Sequence, residues 1–171
     1  RLLVDSPLVL NNGKYYIDFN DFEQKIKLHS VKLFLLCNPQ NPTGRVWLKE
    51  ELIKIINICE KHNVIIFSDE IHSDLVYKKH KHIPIALFIK KSLIVTANSA
   101  SKTFNLGGLN SSYVIIEDKK LHIAFLREMN KVHLNSVNSL GLIATQSAYE
   151  NGLIYKQELM LYLEENKNKA I

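Results

Sequence analysis

The chain is poor in cysteine, and the two cysteines that it has lie far apart. Cys37 and Cys59 are the only cysteines among 171 residues, and their spacing matches no metal-ligand pattern. A small secreted domain held together by disulfides would carry more cysteines. One falls at the end of a predicted strand and the other on the apolar face of a predicted helix. We therefore predict two buried thiols in a reducing compartment, which favours a cytoplasmic protein.

Arginine and long apolar runs are also scarce. Only three of the 22 basic residues are arginines, and the lysines are scattered along the sequence. Nucleic-acid surfaces concentrate basic side chains in a stripe, so the net charge of +5 indicates a solvated basic surface and no nucleic-acid partner. No run approaches the length of a membrane span, and no signal-peptide pattern is present. The sequence begins at Arg1 instead of methionine, so we expect it to be part of a longer chain.

What remains is the composition of a globular domain, with 46% hydrophobic and 23% charged residues. The continuous apolar run at 31–37 and the segments at 64–70, 92–99 and 111–117 predict buried strands, and the apolar spacing over 49–63 predicts an amphipathic helix. Apolar strands joined by helices are typical of an α/β fold. We predict three layers, in which helices flank a mainly parallel sheet.

Two local signals precede the first of these strands. Leu8–Leu10 and Tyr15–Asp18 flank an NNG turn, which predicts a hairpin or a pair of short extended segments. Asn20 or Asp21 is expected to cap a short helix that reaches about Leu28.

Polar clusters follow three of the predicted strands. NPQNPTG comes after Cys37, SDEIH after Phe67 and NSASK after Thr96. Open α/β sheets bind ligands at the carboxyl ends of their strands. We therefore expect the three clusters to meet at one edge of the sheet and to form a binding site.

The third cluster contains Lys102 among hydroxyl side chains. A lysine amine that is desolvated beside a cavity is a nucleophile, and it forms a Schiff base with an aldehyde cofactor or a carbonyl substrate. Ser99, Ser101 and Thr103 offer hydroxyls to a phosphate group. A surface lysine in an ordinary Ser-rich turn would give the same pattern, so this cluster alone leaves both interpretations open.

The other polar residues have structural alternatives as well. Asp69 could pair with a cation in a cleft, or it could be the N-cap of a helix in the segment that follows. His72 could reach the same pocket or be structural, and Asn41 lies in a loop whose prolines and glycine suit ordinary turn chemistry. The HKH triplet at 80–82 lacks carboxylate or cysteine partners, so we expect a surface loop there and no metal site.

Taken together, NPQNPTG, SDEIH and SASKTFNLGGL resemble the signature of the fold-type I pyridoxal-phosphate enzymes, the class I/II aminotransferase superfamily. The resemblance implies pyridoxal 5′-phosphate as cofactor, an amino acid as substrate and a homodimer in the full-length protein. It also implies that residues 1–150 form the cofactor-binding portion of a large domain. Residues 151–171 would then begin the helix that leads to a small domain outside this chain.

The resemblance implies a role for each matching residue. Lys102 matches the lysine that holds the cofactor covalently and then moves the substrate Cα proton. Asp69 matches the aspartate that faces the pyridine nitrogen, and Asn41 matches the asparagine that bonds the ring 3′-oxygen, in a turn whose Asn41–Pro42 peptide is a candidate for the cis form. The remaining matches are Ile71 behind the ring, His72 where a tyrosine usually bonds the same oxygen, and Ser99 and Ser101 at the phosphate.

Two departures narrow the resemblance. Asn110 stands where aminotransferases usually carry a phosphate-binding arginine, and His72 stands where they carry tyrosine. Both features are similar to the carbon–sulfur lyases of the MalY/PatB type, which include cystathionine β-lyases. This similarity implies α,β-elimination of an L-cystathionine- or L-cysteine-type substrate to pyruvate, ammonia and a thiol. An aminotransferase, and a catalytically silent domain without the family's remaining segments, are the alternatives.

Overall fold

The computed structural model describes residues 2–88, 93–134 and 136–170. Its strands are β1 (Leu8–Asn11), β2 (Lys14–Ile17), β3 (Leu33–Cys37), β4 (Ile65–Asp69), β5 (Ile94–Asn98) and β6 (Tyr113–Ile115). Its α-helices are α1 (Phe19–Leu28), α2 (Lys49–Lys61), α3 (Lys119–Lys131), α4 (Ser139–Asn151) and α5 (Leu153–Ala170). No helix within the described ranges has the length and apolar character needed to cross a membrane. The first residue of the strand predicted over 92–99 lies outside these ranges.

The main sheet has the strand order β3–β4–β5–β6, with the first three strands parallel and β6 antiparallel to β5. Its register pairs Cys37 with Asp69 and Asp69 with Ala97. The carboxyl ends of the three parallel strands therefore lie side by side. The α/β fold with a mainly parallel sheet flanked by helices is confirmed.

The buried core lies between one face of this sheet and helices α1 and α2. Successive side chains of a strand point to opposite faces. On the face away from α1 and α2, the side chains of β3 are open to solvent, and Leu33 and Leu35 are 50% and 63% exposed. The predicted apolar stripe of α2 is buried, as expected. The core comprises Phe22, Ile26, Leu36, Trp47, Leu52, Ile55, Ile56, Cys59, Val64, Ile66, Ile85 and Ile94, among others.

The two cysteines differ in their surroundings. Cys59 is buried, as predicted, and burial raises the pKa of its thiol to about 12. Cys37 is only half-buried, so the prediction of two buried thiols is wrong for this residue. It ends β3 on the face away from the core, and its Sγ accepts a hydrogen bond from the Asn41 N–H at 3.3 Å.

The hairpin predicted around the NNG turn is confirmed as β1 and β2, which pair antiparallel. The predicted cap of α1 is wrong. The helix begins at Phe19, so Asp18 precedes it and its Oδ1 accepts hydrogen bonds from the Asn20 and Asp21 N–H groups at 3.0 and 3.1 Å. Asp is well suited to this position because its short side chain reaches these donors.

A carboxylate on α1 links this helix to the end of α2 and should make folding sensitive to acid. Hydrogen bonds from His62 Nε2 and Lys61 Nζ, each at 2.8 Å, lower the pKa of Glu23 from 4.5 to about 2. Because the pKa of Glu23 is lower in the folded state, its carboxylate stabilises the fold fully at pH values above the ordinary pKa of 4.5. This contribution is lost as the pH falls through about 2. In Glu23→Gln, the free energy of unfolding should therefore decrease less steeply between pH 4.5 and about pH 2 than it does in the parent protein.

Urea unfolding at a series of pH values measures this slope. Glu117→Gln, which changes an exposed carboxylate outside α1 and α2, should keep the slope of the parent protein. The same slope in Glu23→Gln and in the parent would contradict the assignment.

Candidate active site

The loop after β3 is held in one shape by its own side chains. Gln40 Oε1 accepts hydrogen bonds from the N–H of Thr43, at 2.9 Å, and from its hydroxyl. The Gly44 N–H donates to Gln40 O at 2.9 Å, and φ at Gly44 is 69°, a conformation that glycine adopts without strain. Asn41–Pro42 is cis, as the family pattern predicted, and Asn38–Pro39 is cis as well. Asn41 is thereby fixed at an exposed position.

Trp47 anchors the other end of this loop. Its indole is 2% exposed, and its Nε1–H donates to Cys37 O at 2.8 Å. The guanidinium of Arg45 lies 5.1 Å from the centre of the Trp47 ring and 5.3 Å from that of Tyr16, and it pairs with Glu51. The end of β3 and the loop are therefore one packed unit, tied to the start of α2.

Asp69 ends β4 with an exposed side chain. Its Oδ1 accepts a hydrogen bond from the Ile71 N–H at 3.1 Å, which makes a local side-chain turn. Residues 71–74 form a turn and no helix begins there, so the interpretation of Asp69 as a helix N-cap is wrong. A carboxylate has about four acceptor sites, and one bond leaves it able to bind a further donor. Ile71 and His72 are half-buried in the turn that follows. The carboxylate is therefore exposed and has acceptor capacity left for a ligand.

The turn that carries Lys102 is built on Ser99. The Ser99 hydroxyl, which is buried, donates to Ser111 O at 2.5 Å and accepts from the Ser101 N–H at 3.0 Å. Ser99 would have to release Ser111 before it could donate to a phosphate, because a hydroxyl has a single proton. Ser101 is half-buried and Lys102 is exposed. One of the three predicted hydroxyls, that of Ser99, therefore contributes to the turn itself, and Ser101 contributes its backbone N–H.

The third hydroxyl, that of Thr103, bonds a carboxylate outside the turn. Thr103 is 1% exposed and its Oγ1 donates to Asp74 Oδ2 at 3.4 Å. Asp74 also pairs with Lys156 of α5. The hydroxyl of Thr103 is thus used to attach the turn to α5, and its predicted role at a phosphate is wrong. Lys102 is exposed between the half-buried Ser101 and the buried Thr103, whose hydrogen bonds hold the turn.

Hydrogen bonds join the three polar clusters at the edge of the sheet. The Asn38 N–H donates to Asp69 O at 2.9 Å, and the Glu70 N–H donates to Ala97 O at 2.9 Å. The Asn98 side chain donates from Nδ2 to Ser73 Oγ at 3.0 Å. The predicted convergence of NPQNPTG, SDEIH and NSASK is confirmed.

Sequence reasoning missed one residue pair at this edge, Glu70 and His82. The HKH triplet was predicted to be a surface loop, which is wrong for His82: its side chain is 10% exposed and its Nε2 lies 2.8 Å from Glu70 Oε2. The alternation of side chains along a strand would have predicted the burial of Glu70, because it places Glu70 on the same side as the buried Ile66 and Ser68. Within residues 2–88, 93–134 and 136–170 there is no cluster of three metal-ligating side chains.

Comparison with known proteins relates this geometry to a family. Residues 7–171 match the model of aminotransferase class I and II. The chain is 41% identical over 172 residues to cystathionine beta-lyase PatB of Bacillus subtilis, and the match covers 99% of this chain and 44% of PatB. It is 35% identical over 153 residues to protein MalY of Escherichia coli, covering 89% of this chain and 39% of MalY.

A solved structure agrees with these sequence matches. The PLP-bound C-S lyase from Staphylococcus hominis superimposes with a TM-score of 0.87 at 40% identity, over 98% of this chain and 42% of that one. The chain thus spans less than half the length of these relatives. The chain belongs to the aminotransferase class I and II family.

Proposed function

We propose that the protein carrying this chain is a pyridoxal-phosphate-dependent carbon–sulfur β-lyase. Its substrates would be amino acids of the L-cystathionine or L-cysteine type, and its products pyruvate, ammonia and a thiol. The observation that carries the proposal is the alignment of the ends of β3, β4 and β5, where an amide, a carboxylate and an amine are all exposed. The similarity to PatB supports the lyase reaction.

The exposed groups fit the cofactor in chemical type. The Asp69 carboxylate is an acceptor for a protonated pyridine nitrogen, and the Asn41 amide is a donor for the ring 3′-oxygen. Lys102 Nζ would attach the cofactor and then take the proton from the substrate Cα. The cofactor, when bound, supplies an electron sink for the charge that develops at this carbon.

The other predicted contacts have weaker geometric support. Ile71 and His72 are half-buried beside Asp69, where they would pack behind the ring and approach its 3′-oxygen. We assign the phosphate to Ser101 and, after it releases Ser111, to Ser99. Asn110, at the position of the usual phosphate-binding arginine, follows a short 3₁₀ turn, Gly107–Leu109. Its φ is 48°, a backbone conformation that asparagine tolerates better than most residues.

The wider organisation belongs to the same proposal. Residues 1–150 would form the cofactor-binding portion of a large domain, and 151–171 would lead to a small domain. We also propose a cytoplasmic homodimer that binds amino acids and no nucleic acid, in keeping with the scattered lysines. The segments that complete the substrate site would lie outside this chain, so we expect the chain alone to turn over substrate weakly or not at all.

An aminotransferase is the second candidate, and the family description supports it. Both reactions begin with removal of the Cα proton, so Lys102, Asp69 and Asn41 serve either one. A protein of the relatives' length that carries this chain should release pyruvate from L-cystathionine without an acceptor keto acid. Strict dependence on an acceptor would establish the aminotransferase instead, and the absence of both products would contradict both candidates.

A further inference from the structure

Glu70 is buried although it directly follows the exposed Asp69. Glu70 as a whole is 2% exposed. Oε1 accepts hydrogen bonds from Ser68 Oγ at 2.9 Å and from the Ile85 N–H at 3.2 Å, and Oε2 lies 2.8 Å from His82 Nε2. An unpartnered carboxylate would be very costly at such a position. These contacts hold Glu70 in place and attach the segment 82–85 to the end of β4.

Asn38 extends the same network to the end of β3. It is fully buried, and its Nδ2 donates to Ile83 O at 3.1 Å and to Glu70 Oε1 at 3.4 Å. Its backbone N–H donates to Asp69 O at 2.9 Å. Three segments far apart in sequence therefore meet at one buried carboxylate.

This arrangement determines the direction of Asp69. Consecutive residues at the end of a strand point to opposite faces, so a Glu70 held inward requires Asp69 to point outward. There Asp69 is in register with Cys37 on one side and Ala97 on the other. If Glu70 lost its buried hydrogen bonds, the strand end could rotate. Such a rotation exchanges the two faces of a strand, so Asp69 would no longer be required to point outward.

We propose that Glu70 is the positioning residue of the candidate cofactor site, with His82 and Asn38 as its partners. It fixes the direction of Asp69, and through Asn38 it fixes the start of the loop that carries Asn41. This inference rests on the proposed function for the identity of the ligand. Glu70 acts through these neighbours, since its own carboxylate lies on the buried side of the strand.

Hydrogen exchange of backbone amides in the cofactor-free protein tests the positioning directly. In Glu70→Ala, amides at 38–44 and 69–73 should exchange about tenfold faster, while those of α2 stay protected. Glu70→Gln keeps an oxygen at Oε1, and its new amide can donate to His82 after a tautomer change, so it should restore most of the protection. Uniform acceleration, or none, would overturn the proposal.

Cofactor affinity provides the second measurement, taken from the Lys102-dependent absorption band during titration with pyridoxal phosphate. Glu70→Ala should weaken binding about tenfold, and Glu70→Gln should recover most of the loss. Glu23→Ala is the matched control because it breaks another carboxylate–imidazole contact of 2.8 Å, between α1 and α2. It should alter neither the exchange at the edge nor the affinity.

The two measurements separate failure of the inference from failure of the proposed function. If the parent chain gives no lysine-dependent band, cofactor binding is rejected, and the exchange pattern still decides whether Glu70 fixes the edge. If Glu70→Ala does not fold, His82→Ala removes one contact from Oε2 and undergoes the same two measurements. Parent-like exchange and affinity in His82→Ala would then overturn the positioning role.

Discussion

Gly152→Ala should lower the free energy of unfolding by about 3 kcal/mol. Gly152 lies between α4 and α5, where an added Cβ would be 2.4 Å from Ala148 O and 2.4 Å from Phe104 Cε1. The Gly152 N–H donates to the same oxygen of Ala148 at 2.8 Å, so this backbone cannot move away without losing the last turn of α4. Phe104 must therefore shift, and the contact with Ala148 O is relieved only if the last turn of α4 distorts.

The shift of Phe104 should also affect the candidate site. This ring packs against Tyr149 and Tyr155, with centroids 5.8 and 6.1 Å away, and it lies two residues after Lys102. We expect Gly152→Ala to weaken pyridoxal-phosphate binding as well as folding, measured by titration under conditions in which the variant is folded.

Gly108→Ala is the matched control, because no heavy atom lies within 4 Å of the Cβ that it adds. Urea unfolding should place Gly108→Ala within about 0.5 kcal/mol of the parent. Equal free energies of unfolding for Gly152→Ala and the parent would show that α4, α5 and the lysine turn are not packed as described.

Lys102→Ala should abolish covalent attachment of pyridoxal phosphate. The amine is exposed at the edge where the three strand ends meet, so its removal deletes the nucleophile and leaves the buried contacts of Ser99 and Thr103 intact. The free energy of unfolding should change by less than about 0.5 kcal/mol. Absorption spectroscopy, followed by reduction with borohydride and peptide mass mapping, measures the attachment and locates it.

The chain contains many other lysines, so a control for non-specific attachment is needed. Lys120→Ala changes an exposed lysine of α3 and should keep both the absorption band and the modified peptide of the parent. An adduct of parental stoichiometry in Lys102→Ala would contradict the assignment of this lysine.

The strands and the site edge were largely predictable from sequence because they depend on local patterns. Apolar runs indicate strands, and polar clusters that follow parallel strands must meet at one edge. Burial was predicted less well, because the strand predicted to be buried over 111–117 is β6, whose three residues are exposed. The prediction that 31–37 and 64–70 are strands holds within two residues of each observed boundary. The α2 helix was predictable for the same reason, since its apolar spacing matches its buried face.

The contacts that stabilise the edge could not be read from local patterns. Glu70 bonds Asn38, His82 and Ile85, which lie 32, 12 and 15 residues away in sequence, and no periodicity specifies such pairs. The partner that uses the hydroxyl of Thr103 is Asp74, 29 residues away. Tertiary packing selected these partners, and so a turn predicted to bind phosphate uses much of its hydrogen-bonding capacity within the fold.

The packing of Trp47 gives the protein an optical property of its own. The sequence contains a single tryptophan, and its indole is buried while bonded to the last carbonyl of β3. Indole fluorescence shifts to longer wavelength when water reaches the ring, so emission from this one chromophore reports on the loop that carries Asn41. Opening of that loop can therefore be followed in real time, without a label and without any ligand.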